Sequence, residues 1–138
     1  MTTKAYPLGV RKVLEAGINF DTDTIKVVAV DLNDYTYSDT HDALNDIPAG
    51  ARVATGTLTN TDTATTAGVF DADDLVLTSV TGDQFEALVI YKDSGVESTS
   101  WLFGFIDSAT GFPATPNGTN ITITWDSGAS KIFAAATP

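Results

Sequence analysis

The stretch Ile121-Thr122-Ile123-Thr124-Trp125 alternates large apolar side chains with threonine. Successive residues of an extended chain point to opposite sides, so this pattern suits a strand buried on one face and wet on the other. The same logic recurs in short runs. Leu75 to Val80 stops at Thr81-Gly82-Asp83, and Phe85 to Lys92 stops at Asp93-Ser94-Gly95. Trp101 to Ile106 follows, and Asp126-Ser127-Gly128 precedes Lys131 to Ala134. Short apolar runs punctuated by Gly and Asp turns predict an antiparallel β-sandwich or barrel-like domain.

Earlier in the chain, Thr24 to Val30 is β-branched and almost continuously apolar after Lys26, which predicts a strand covered on both faces. Arg52 to Thr59 reads as another strand, and the Thr-rich segment 60–68 as a turn or exposed loop with a polar edge strand. In the Phe85 run, Phe85, Ala87, Val89 and Tyr91 fall on one face and Leu88 and Ile90 on the other. Trp101, Phe103 and Phe105 line up in the same way. Two short helices are expected. One places Val10, Val13 and Leu14 at helical spacing, bounded by Pro7 and Gly9, with Gly17 as a left-handed cap. The other lies near residues 39–46, with Ser38 or Asp39 as N-cap and Pro48 beyond its end. No repeat or boundary divides residues 1–138, so one β domain is expected, with residues 1–17 as an N-terminal segment and contact arm.

Composition enters through what it excludes. Seven Lys and Arg against 18 Asp and Glu give a formal charge of −11. Such a surface repels phosphate, so neither nucleic acid nor an anionic membrane is an expected partner. No run of about 18 apolar residues spans a bilayer, and Met1 to Leu8 lacks the apolar core of a secretory signal. The chain has no Cys and one His, which removes disulfides, thiolate chemistry and Cys-ligated zinc.

Few residue constellations point to chemistry. His41 has Ser38, Asp39 and Asp42 nearby, the residue types of a hydrolytic triad, yet sequence neighbours do not converge. No Gly-x-Ser-x-Gly elbow occurs. Asp21 with Asp23, and Asp71 with Asp73 and Asp74, have the i, i+2 spacing that could clamp a hard cation. Both lack the Gly and the terminal Glu of an EF-hand loop and precede predicted strands, where Asp caps turns. No spacing among the carboxylates singles out a glycosidase pair. The glycines form no phosphate-cradling motif. Asn117-Gly118-Thr119 and Asn120-Ile121-Thr122 match the glycosylation pattern, without a secretory signal to make it meaningful. Trp101, Phe103, Phe105 and Trp125 would stack on sugar if exposed, but their strand positions predict a core role. No catalytic residue, cofactor or metal is expected.

Several segments together resemble small virion structural proteins of tailed bacteriophages. They are Ile18 to Val27 after the short helix, Tyr35 to Asp42, Gly68 to Asp74, Ala87 to Asp93, Pro116-Asn117-Gly118 and Ile123 to Asp126. The resemblance spans roughly residues 10 to 134. It implies a non-enzymatic, multicopy protein, foremost a decoration (cement) protein on the outer surface of the head, made in the bacterial cytoplasm. Its partners would then be the major capsid protein and copies of itself. A neck, tail or head–tail joining protein and a carbohydrate-binding β module are the alternatives. Apolar residues outside predicted strands mark the expected contacts: Tyr6, Leu8 and Val10 near the N-terminus, and Phe112, Pro113 and Pro116 in the Pro-rich loop. Deleting residues 2–14 is expected to abolish capsid binding while sparing the fold.

Overall fold

The computed structural model describes residues 3–109, 111–128 and 131–134. Its centre is an antiparallel five-stranded sheet. In chain order the strands are β1 (Lys4–Ala5), β2 (Ile25–Val30), β3 (Arg52–Thr57), β6 (Ala87–Lys92) and β7 (Leu102–Ile106), arranged β1-β7-β6-β2-β3. Among the described residues two small antiparallel sheets complete the strands: β4 (Val69–Phe70) with β9 (Phe133–Ala134), and β5 (Leu75–Leu77) with β8 (Ile121–Ile123). The chain is thus mainly β, as the strand rhythm predicts. The large sheet stays open, so no barrel closes.

The sheet is buried on both faces. Ile25, Val27 and Ala29 of β2 join Leu88 and Ile90 of β6 in one core, which Leu75, Leu77, Ile123, Trp125 and Phe70 cover from the small sheets. Val28 and Val30 join Ala87, Val89 and Tyr91 in the other. There the cover is Tyr6, Tyr35, Leu44, Ile47 and Ala51, supplied by loops and two 3₁₀ turns at Leu44–Asp46 and Ala49–Ala51. This double burial is the reason β2 reads as an unbroken apolar run.

Two bulges change which side chains share a face. Ile90 pairs with Gly104 and Tyr91 with Leu102, so Phe103 is an extra residue in β7. Phe103 therefore enters the first core while Phe105 enters the second, and the predicted alignment of Trp101, Phe103 and Phe105 breaks between them. Val53 is the extra residue in β3, because Ala29 pairs with Ala54 and Val30 with Arg52. Phe85 also departs from its predicted face. It precedes β6, exchanges two backbone hydrogen bonds with Ala114, and joins the core opposite Ala87.

The N-terminal helix α1 spans Pro7–Leu14. Pro at its first position needs no hydrogen-bonded N–H and has the right φ. Gly9 lies inside the helix instead of bounding it: an added Cβ would sit 2.0 Å from the Leu102 carbonyl oxygen. Its missing side chain lets α1 rest on the β7 backbone at the bulge. The left-handed position after the helix is Ala16, φ 61°, rather than Gly17.

The second predicted helix is mostly absent. Residues 38–41 form a turn, and Ala43 is extended in a β-bridge with Trp101. Leu102 N–H donates to Asp42 and Leu44 N–H to Ser100, so pairing beside β7 overrides local helix formation. Only Leu44–Asp46 winds, and the Asp46 carboxylate accepts from the Asp42 and Ala43 N–H groups.

Candidate functional site

Where α1 leaves the edge of the sheet, it walls a cleft of about 290 Å³. Val10, Val13 and Leu14 form one side and Gly68 and Val69 the other, over a floor of phenylalanines. The floor is itself ordered. Phe20 lies 4.6 Å from Phe70 and 4.7 Å from Phe103, and Phe103 lies 4.8 Å from Phe133, centroid to centroid. The last two contacts are edge-on, the arrangement ring quadrupoles favour. Among the described lining residues Thr63 is the one polar side chain, and its hydroxyl donates to the Asp21 carboxylate at 2.8 Å. Leu14 stands 83% exposed at the rim, beside Val10 at 36%. The volume lies at the small end for ligand pockets, about 300–1,000 Å³. Among the described residues no charged or titratable group lines the cleft, and its walls suit apolar side chains.

The predicted contact residues divide. Val10 lines this cleft, and Leu8 is half-buried on the same helix. Tyr6 is a correction: it is 0% exposed, edge-on to Phe105, with its hydroxyl 2.9 Å from that of Tyr35. It serves its own core and is closed to a partner. Nor is the segment a detachable arm. β1 is paired to β7, Tyr6 N–H donates to Phe103, and the Thr3 hydroxyl donates to the Ile132 carbonyl, so deleting 2–14 would remove part of the fold. Residues 1 and 2 lie outside the described residues. In the Pro-rich loop, Phe112 packs edge-on to Phe85 at 6.0 Å, Pro113 is exposed and Pro116 half-buried. No residue of that loop lines the cleft, so the two predicted contact regions do not share it.

The other constellations resolve into structural roles. His41 Nδ1 lies 2.8 Å from the Tyr35 hydroxyl, while Ser38 pairs with Thr40 and Asp39 accepts from Tyr37. The triad residue types therefore do not form a relay. Burial, then the neighbouring Tyr35, pushes the Tyr6 hydroxyl far above its ordinary pKa, so it stays a neutral hydrogen-bonding group. Asp21 holds Thr63, Asp23 pairs with Lys92 at 3.3 Å, Asp73 accepts from Asn60 and Asp74 from Trp125 N–H. Apart from the Asn19 N–H bond to Asp23, these are cross-links to distant segments and not the local turn caps expected, and among the described residues neither group gathers three ligands. Among the described residues, three carboxylates converge elsewhere: one oxygen each from Asp31, Asp34 and Asp83 lies within 4.8 Å of the others. Asp31 already accepts from Asn33 N–H, and Asp34 and Asp83 are exposed. Acids this abundant gather without a ligand, and the trio defines a negative patch only.

Phe103, Phe105 and Trp125 are buried, and Lys12 Nζ covers the Trp101 ring at 4.2 Å. These four aromatics form no exposed stacking platform. The phenylalanine floor escaped sequence reasoning because Phe20, Phe70, Phe103 and Phe133 sit on four separate segments. The only local signal was Phe20 in an otherwise polar turn. No described helix is long and apolar enough to cross a membrane. Comparison with models of known protein families gives no match, and neither does comparison with curated proteins.

Proposed function

We propose that this chain is a non-enzymatic virion structural protein of a tailed bacteriophage, a capsid decoration protein bound to the outer surface of the head. The major capsid protein and further copies of the chain are its partners in this reading. The observation that carries it is the phenylalanine-floored cleft with Leu14 at its rim. An apolar surface of this kind on a strongly charged chain marks a protein contact. Three features support the same reading. Both faces of the main sheet are buried, which provides a rigid platform. The charge of −11 keeps a densely displayed protein soluble and away from packaged DNA. The residues with catalytic potential are occupied in turns and core hydrogen bonds.

The test is cryo-EM of capsids to which the purified chain has been added back. Regular density in many copies on the outer shell is the expected result, and Leu14→Glu should reduce occupancy at least tenfold. Density confined to a vertex, neck or tail would replace decoration by a joining role. Binding to host glycan without binding to capsids would replace both by carbohydrate recognition.

A further inference from the structure

The central sheet ends on two edges that differ in kind. β1 is two residues long and carries Lys4, which blunts that edge against further pairing. β3 is six residues long, and among the described residues β2 is its one neighbour in the sheet. Leu58 N–H donates to Ile25 O, and Gly56 and Ala54 stand opposite Val27 and Ala29. Bonded and non-bonded pairs alternate along an antiparallel ladder, so Leu58, Gly56 and Ala54 turn their main-chain groups to β2. Thr55 and Thr57 turn theirs outward. Both are exposed, and among the described residues neither has a main-chain partner on that side.

The open stretch is bounded. The Thr59 carbonyl accepts from Asp73 N–H at one end, and the Val53 bulge lies at the other. β5 packs on the core-facing side, where a Cβ on Gly56 would sit 2.8 Å from Leu75 Cδ1, and forms no ladder with β3. The chemistry of the edge calls for extended chain, because a strand alone offers donors and acceptors at the ladder spacing. Charge then selects the strand. On a chain of charge −11, residues 53–61 carry no charged side chain and no Pro, the usual guards of an edge. The charges beside them are matched within the chain: Arg52 pairs with Glu97 at 2.6 Å, and Lys26, opposite Thr57, pairs with Asp93 at 2.9 Å. Asp73 stands at the Thr59 end. A two-fold axis at Gly56 sets that end against Val53 of the partner subunit, so the two Asp73 carboxylates stay at opposite ends of the contact.

We propose that β3 of one copy pairs antiparallel with β3 of a second copy about this axis, joining two five-stranded sheets into one. Thr55 and Thr57 of the partner subunit exchange both main-chain hydrogen bonds, and so do Thr57 and the partner's Thr55. The same pairs bring threonine side chains together on the exposed face, a favourable cross-strand match. The symmetry is closed, so assembly stops at a dimer. The contact rests on the multicopy part of the reading above.

The experiment is light scattering and amide hydrogen exchange on the full chain, over a dilution series from millimolar to micromolar. The mass should rise toward twice 14.5 kDa at the concentrated end. There the Thr55 and Thr57 amides should exchange at least tenfold more slowly than in the dilute monomer, while those of Gly56 and Leu58, already bonded to β2, stay the same. The double variant Thr55→Lys, Thr57→Lys should be monomeric throughout, and Leu14→Glu, away from this edge, should dimerise like wild type. A monomer at every concentration, or a dimer whose Thr55 and Thr57 amides exchange as in the monomer, overturns the proposal; if the lysine variant fails to fold by circular dichroism, the wild-type exchange decides. Capsid binding separates this from the wider reading. A monomer that decorates capsids removes the strand pairing alone, and a dimer that ignores capsids removes decoration alone.

Discussion

Gly9 shows how one missing methyl group can hold an element in place. A Cβ there would meet Leu102 O at 2.0 Å and Phe103 Cα at 2.9 Å, both backbone atoms that cannot swing away. Alanine ordinarily favours a helix over glycine by about 1 kcal/mol. Here the overlap must lift α1 from β7, and overpacking of this kind costs about 1–3 kcal/mol or more. Gly9→Ala should therefore lower stability by about 2 kcal/mol net, read from urea unfolding; a stabilised variant would show that α1 does not rest on the strand. Tyr6 makes a second point at this scale. Its hydroxyl begins a buried chain through Tyr35 to His41. Tyr6→Phe keeps the ring packing but removes one link, and should cost about 1 kcal/mol. A cost near zero would mean that the Tyr35–His41 link satisfies the site alone.

At the scale of elements, the small β5–β8 sheet depends on a clamp at its end. Trp125 follows β8, is buried, and ties back by Nε1–H to Asp73 O at 2.9 Å and by its own N–H to Asp74 Oδ1 at 3.1 Å. Truncating a buried aromatic costs about 3–5 kcal/mol. Trp125→Ala should fall in that range in denaturant unfolding and speed amide exchange in β5 and β8 before the central strands. Uniform acceleration would show that the two sheets open as one unit. β7 carries the opposite lesson. Its bulge at Phe103 moves one aromatic ring to the cleft floor and leaves Phe105 in the other core, so one strand serves the sheet, the helix and the proposed contact.

At the scale of the whole molecule, pH response follows from tyrosines gathered in the second core and from surface ion pairs. Burial foremost raises the hydroxyl pKa of Tyr6, Tyr35, Tyr37 and Tyr91, the last two to about 12. A group whose folded pKa is raised contributes stability in full below its unfolded value, about 10 for tyrosine. That contribution disappears as pH rises through the folded value. The melting temperature should thus decline between about pH 10 and 12. Carboxylates act in the other direction. The Lys26 ammonium, helped by Gly95 N–H, holds Asp93 below its ordinary range, so its contribution is present above about pH 4 and lost as pH falls further. Melting curves from pH 2 to 12 check both limbs; a melting temperature unchanged at pH 11.5 would mean that the tyrosines ionise without opening the second core.

Much of the architecture was legible because strand identity is set by nearest neighbours. Alternation marked the Ile121 strand, unbroken apolarity marked β2 as covered twice, and Gly and Asp marked the turns between strands. The sequence also determined the charge split that places the cations of residues 4–12 ahead of every acid. Tertiary structure decided the rest, because each remaining feature depends on a partner distant in the chain. Bridge formation with Trp101 stretched Ala43 out of an expected helix. A bulge sent Phe103 and Phe105 to different cores, and burial under the second core withdrew Tyr6 from the surface. Four phenylalanines from four segments converged into a cleft that no local pattern encodes. Local periodicity specifies the two faces of a strand; only long-range pairing decides what each face meets.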